Sequence, residues 1–146
     1  MYSYTMPYKR GQYRDASYNE LIQSMRNNIL VVDDDPDILE ALKVMLEDEG
    51  YSVKTAQNGN IIQLLDEANL PSMIILDVLL SGADGREIAE KLRKKEETKE
   101  IPIVMISANP GAAKDCVKRG ANAFLAKPFE IDDLLSVIHQ YVPEEK

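Results

Sequence analysis

A single cysteine, Cys116, removes two chemistries at once: an internal disulfide and a multi-cysteine zinc site. Such sparing use of thiols fits a reducing, cytoplasmic setting. No run approaches the roughly 18 to 20 unbroken apolar residues of a membrane span. The opening MYSYTMPYKRG lacks the apolar centre of a signal peptide. A basic balance is missing too. The formal net charge is -8, with 17 Lys and Arg against 25 Asp and Glu, which argues against direct nucleic-acid binding. What remains suits one globular domain: 146 residues, 45% hydrophobic and 29% charged.

Residues 1–28 stand apart. They hold Tyr2, Tyr4, Tyr8, Tyr13 and Tyr18 with scattered Arg and Lys and few aliphatics. They read as a tail outside the domain, with a short helix from Tyr18 to Met25. A tyrosine-rich docking segment is the sharper alternative. From Ile29 onward, short apolar runs alternate with helical periodicity. ILVVD, YSVKTA, SMIILD, IPIVMIS and NAFLA read as strands. Pro36 to Glu49 carries Ile38, Leu42, Met45 and Leu46 at helical spacing, with Gly50 at the stop position. NGNIIQLLDEA turns at Asn58-Gly59 and continues as a helix. Gly85 to Lys95, a weak stretch from Pro110 to Gly120, and Glu130 to Tyr141 complete five βα units. Such alternation predicts an α/β domain over residues 29–142, a parallel sheet with helices on both faces, and a short C-terminal tail at 143–146.

The strand ends carry the chemistry. In an open parallel sheet, ligands bind beyond the carboxyl ends of the strands. The first strand ends at Asp33 and Asp34, the third at Asp77, the fourth at Ser107, and Lys127 with Pro128 follows the fifth. One strand-end aspartate is usually a helix cap. Asp35, just before Pro36, suits that role. Capping does not account for four strand ends with complementary groups. Three crowded carboxylates favour a cation among them, and an oxygen-rich set suits Mg²⁺. A carboxylate can also act as a nucleophile and form an aspartyl-phosphate, with a hydroxyl and an ammonium gripping phosphoryl oxygens.

Together, ILVVDDDPDI, MIILDVLLSGADG, IVMISA and FLAKPF resemble the response-regulator receiver domain family, the CheY-like receivers, over about Ile29 to Val142. The resemblance implies a flavodoxin-like, doubly wound, five-stranded parallel sheet of order 2-1-3-4-5. It implies phosphoryl transfer from a sensor histidine kinase or histidine phosphotransfer protein onto Asp77. By matching motif, Asp33, Asp34, Asp77 and the backbone carbonyl of Leu79 would hold Mg²⁺, with Asp34 the more direct ligand. Ser107 would close on the phosphoryl group, Lys127 would grip it, and Phe124 would be the aromatic switch. Such a chain is a signalling phosphoacceptor that catalyses its own phosphorylation and slow dephosphorylation, not a turnover enzyme. With only PEEK after the last helix, the expectation is a stand-alone regulator that controls an unknown protein target or relays its phosphoryl group. Membrane or direct nucleic-acid contact is not expected; a phosphorylation-dependent homodimer is compatible with the family.

Two departures matter. Ser81 stands where the family often has proline, so the loop after Asp77 is expected to be less rigid, with Gly82 and Gly85 keeping the turn. The switch residue is Phe124 rather than Tyr, so it has no hydroxyl to donate. Leu79 and Asn109 flank the site where the family tunes self-hydrolysis. His139 reads as a surface residue, Cys116 as packing, and KLRKKEETKE as a solvated helix end. Other classes fit less well. A haloacid-dehalogenase-like phosphatase would use Asp33 and Asp35 as its Asp-x-Asp pair, but Asp37 occupies a position where that family has Thr or Val. An FMN-binding flavodoxin would need a phosphate loop where three aspartates stand. A degenerate receiver that only binds partners is countered by the full set Asp33, Asp34, Asp77, Ser107 and Lys127.

Overall fold

Strand β3 (Met73–Asp77) shows why this sequence puts helices on both sides of one sheet. All five of its residues are buried. Met73 and Ile75 join one apolar cluster, and Ile74 and Leu76 join the other. Side chains alternate across a strand, so a strand buried at every position, with four apolar residues in succession, needs cover on both faces. The computed structural model describes residues 27–65 and 67–142, and it supplies that cover.

Strands β1 (Asn28–Val32), β2 (Ser52–Ala56), β4 (Ile103–Ser107) and β5 (Ala123–Ala126) complete a parallel sheet of order β2-β1-β3-β4-β5. This is the flavodoxin-like doubly wound order expected from the sequence. Helices α1 (Pro36–Asp48) and α5 (Ile131–Tyr141) pack on one face through Leu39, Leu42, Leu46, Leu134 and Ile138. Helices α2 (Ile61–Leu64), α3 (Gly85–Lys94) and α4 (Ala113–Lys118) cover the other, through Ile61, Ile88, Ala89, Leu92 and Cys116.

Helix α1 has the boundaries its sequence announces. The Asp35 carboxylate accepts from the Asp37 amide at 2.9 Å, Pro36 opens the first turn, and Gly50 leaves with φ +100°. The second helix is much shorter than its periodicity suggests. It holds four residues and gives way at Leu65 to extended backbone, then to a 3₁₀ turn over Glu67–Asn69. Asn60 makes no side-chain capping bond there. So short a helix gains little beyond its nucleation cost. The expected helix through Ala68 is therefore corrected to a single turn.

The KLRKKEETKE segment is exposed in the main, but Arg93 turns inward. Its guanidinium donates to the carbonyls of Gly120, Lys99 and Ile101 and to Asn122 Oδ1, at 2.6–2.9 Å. Cys116 is fully buried and His139 is exposed, as read from the sequence. The expected tail reaches one residue too far, because Asn28 already pairs with Ser52. The proposed helix from Tyr18 to Met25 and the tail at 143–146 lie outside the described residues. Among those described, no helix is long and apolar enough to cross a membrane.

Candidate functional site

The parallel sheet delivers its polar strand ends to one edge. Asp33 follows β1, with its amide on the Ala56 carbonyl at 3.1 Å. Asp77 and Ser107 are the last residues of β3 and β4, and Lys127 follows β5. The Lys127 amide donates to the Ser107 carbonyl at 2.8 Å, and the Lys127-Pro128 bond is cis. These links place the ammonium group between two carboxylates. Lys127 Nζ lies 2.9 Å from Asp33 Oδ2 and 3.0 Å from Asp77 Oδ2.

The pairing is unusual in its burial. Asp33 is 0% exposed and Asp77 6%. Burial pushes the Asp77 carboxyl above its ordinary range; the hydrogen bond from Lys127 opposes that and the nearby Asp33 charge adds to it. Burial would lower the Lys127 ammonium, but hydrogen bonds to Asp33 and Asp77 outweigh it and hold its pKa above the ordinary value. Asp34, by contrast, is exposed. Carboxylate oxygens from Asp33, Asp34 and Asp77 lie within 4.8 Å of one another. When all are ionised, three carboxylates against one ammonium leave a local charge of minus two. An all-oxygen donor set with that excess fits a hard divalent cation, so this cluster can hold Mg²⁺.

The loop after Asp77 is braced. Leu79–Leu80 pairs antiparallel with Ala83–Asp84, and Gly82 turns between them at φ +74°. The Leu79 amide donates to Asp77 Oδ1 at 3.3 Å. Gly85 donates to the Val78 carbonyl at 2.7 Å, and a Cβ at Gly85 would collide with the Asp77 carbonyl oxygen. Ser81 donates to Asp34 Oδ2 at 3.1 Å. The expected loss of rigidity at Ser81 is thus offset by a bond that proline could not make. Nothing local in the sequence signals it, because Asp34 stands 47 residues away.

Ser107 is 2% exposed, and its hydroxyl accepts from the Asn109 amide at 3.0 Å. Phe124 is half-buried against the α2–α4 side of the core. Beside Lys127 lies an apolar groove of about 480 Å³, walled by Ile38, Leu42 and Met45 of α1 and by Pro128 and Phe129. The sequence reading missed this groove, although the apolar face of α1 and the Pro128-Phe129 step were its signals.

The comparisons with known proteins agree with this geometry. The family model described as response regulator receiver domain matches residues 29–139. The nitrogen assimilation regulatory protein NtrX of Azorhizobium caulinodans is 41% identical over 117 residues, which are 77% of this chain and 25% of that protein. The transcriptional regulator RpaA of a Synechocystis strain is 36% identical over 111 residues, 74% of this chain and 46% of that protein. The chain thus spans a quarter to a half of these relatives. Among solved structures, the response regulator TrrA of Thermotoga maritima, in complex with Mg²⁺ and BeF, is similar at TM-score 0.71 and 33% identity, covering 79% of this chain and 98% of that one. The receiver domain of NtrX from Brucella abortus has TM-score 0.71 and 33% identity, covering 80% and 99%. With the sheet order, the acidic cluster and the family match in agreement, the chain belongs to the response regulator receiver domain family of two-component signalling.

Proposed function

We propose that this receiver takes a phosphoryl group from a phosphohistidine onto Asp77 and acts by docking to another protein or by passing the group on. The observation that carries the reading is the triad of Asp33, Asp77 and Lys127, two buried carboxylates sharing one ammonium at 2.9 and 3.0 Å. A carboxylate oxygen of Asp77 attacks phosphorus, the P–N bond breaks, and the imidazole leaves with the bond's electron pair and takes a proton from water. Lys127 holds the oxygens of the incoming group, and Ser107 moves from the Asn109 amide to close on it. A Mg²⁺ ion on Asp33, Asp34, Asp77 and the Leu79 carbonyl would neutralise charge on the transferring group. Phe124 reports the change through its packing.

The groove beside Lys127 supports a protein donor, since a phosphohistidine must be carried to this edge by a surface that fits it. Leu79, two residues after Asp77 and 68% exposed, cannot orient a water by hydrogen bonding, so the phosphorylated form is comparatively long-lived. A lifetime of seconds would count against that point.

The test is incubation with a small acyl-phosphate donor, with and without Mg²⁺, read as intact mass. A single Mg²⁺-dependent phosphoryl adduct, absent in Asp77→Ala, is expected. A folded protein that binds Mg²⁺ and gives no adduct would favour a receiver that works by binding alone.

A further inference from the structure

A chain of contacts leaves the site that no part of the phosphoryl chemistry uses. It starts at Asp77, whose Oδ1 accepts from the Leu79 amide. Leu79 pairs with Asp84 across the two-residue ribbon. Asp84 has three tasks. It pairs with Leu79, caps α3 by accepting from the Arg86 amide at 2.9 Å, and binds the Arg86 guanidinium through Nε and Nη2 at 3.0 and 2.8 Å. The remaining arm of that guanidinium, Nη1, reaches Asp115 on α4 at 3.1 Å. Asp115 in turn lies 3.5 Å from Arg119, which pairs with Glu90 back on α3 at 3.0 Å.

We propose that Arg86 is a positioning residue that couples the Asp77 loop to α4 through its split grip on Asp84 and Asp115. The proposal rests on the reading of Asp77 as phosphoacceptor and adds a route by which its state reaches a distant surface. A guanidinium is planar and rigid, so Asp84 and Asp115 cannot shift apart without opening one arm. Helix α4 is the element such a grip can govern. It has six residues, no side-chain N-cap, and Cys116 as its one buried residue. Its apolar anchorage is small, so ion pairs to Arg86 and Glu90 are among the contacts that tie it to its neighbours. The grip also holds the α4 surface on which Val117 is 53% exposed.

The site gives a reason for the grip to open. A phosphoryl group adds negative charge and bulk at Asp77, where Oδ1 holds Leu79 and Oδ2 holds Lys127. Lys127 turns to the phosphoryl oxygens, and the Leu79 amide is the contact that Asp77 then keeps with the loop. If Leu79 moves, its ribbon partner Asp84 moves with it, and Arg86 must release either Asp84 or Asp115. The grip then biases a two-state element, and by linkage it resists phosphorylation as much as phosphorylation opens it.

The experiment compares the protein with Arg86→Gln, Asp115→Asn and the double variant. Asp84 is left intact because it caps α3, and Arg119–Glu90 keeps α4 tethered. Two quantities are read: amide exchange along α4, and the initial rate of adduct formation with the small acyl-phosphate donor. Each single variant should speed both about threefold or more, and the double variant should fall well short of the product of the two, because both lose the Arg86–Asp115 contact. Faster α4 exchange with an unchanged adduct rate means a merely structural pair and overturns the proposal, as do independent, multiplying effects. Mg²⁺ alone is the second probe, read by α4 exchange. An effect of Mg²⁺ on α4 in the parent that is lost in Arg86→Gln upholds the coupling even if no adduct forms. Identical responses in both overturn it. Absence of adduct in the parent, taken by itself, counts against the phosphoacceptor reading and not against the coupling.

Discussion

Helices α1 and α4 both begin a few residues after a strand that feeds the site, yet they are built to opposite standards. Helix α1 runs for 13 residues, is capped by Asp35, opens with Pro36 and buries Leu39, Leu42 and Leu46. Helix α4 runs for six, follows a 3₁₀ turn at Pro110–Ala112, has no side-chain cap and buries Cys116. The first is fixed by packing and the second by charge. Packing among large aliphatics is close to all-or-none, because interiors are dense and shape-matched. Partly exposed ion pairs are individually weak and exchange partners readily. Under the proposed coupling, that division would keep one wall of the site still while the α4 surface moves.

The comparison breaks most severely in the core. Leu46→Ala on α1 should cost about 2–5 kcal/mol in urea unfolding, whereas Cys116→Ala on α4 should cost about 1 kcal/mol. Equal costs would mean that α4 is as firmly packed as α1.

At the site edge, Lys127→Met strands Asp33 and Asp77 without their counter-charge. Stability near neutral pH should fall by about 2–3 kcal/mol, discounted from the value for a fully buried pair because Lys127 keeps 22% side-chain exposure. The sign follows from the shifts. The raised Asp77 pKa means that the folded state holds its proton to higher pH than the unfolded chain, so its contribution falls as pH rises through that window and then levels off. The raised Lys127 pKa gives a contribution present in full below the unfolded value of 10.5 and lost as pH rises through the folded one. Unfolding curves of Lys127→Met should therefore lie closer to the parent in mild acid than at neutral pH. A pH-independent gap would show that Lys127 acts by packing alone.

The caps give the smallest contrast. Asp35→Ala should cost about 1 kcal/mol, because it frees an amide of a long helix. Asn109→Ala removes a similar bond to Gly111, at 2.9 Å, but from a three-residue turn, and should cost less than about 0.5 kcal/mol. Thermal unfolding of the two variants side by side measures the difference. A larger loss at Asn109 would place the rigidity on the α4 side.

Much of this was legible beforehand because it is written locally. The five apolar runs became the five strands, and the residues that end them meet at one edge, since parallel strands all present their carboxyl ends together. Asp35 read as a cap from its neighbour Pro36 alone. The length of α2 was not legible. Its apolar spacing continues past Leu64, but spacing reports which face is apolar, not whether one turn is worth extending. Arg93 was hidden in a charged run, because a sequence does not show which of several cations faces the carbonyls of Lys99, Ile101 and Gly120.

The sequence by itself determined the parallel sheet with helices on both faces and the set of carboxylates, hydroxyl and ammonium at one edge, because periodicity and strand-end chemistry are properties of neighbours along the chain. Only the tertiary structure decided that Ser81 braces Asp34 and that Arg86 bridges to Asp115. Those partners lie 47 and 29 residues apart, and such pairs exist only once the sheet has set the distance between the elements that carry them.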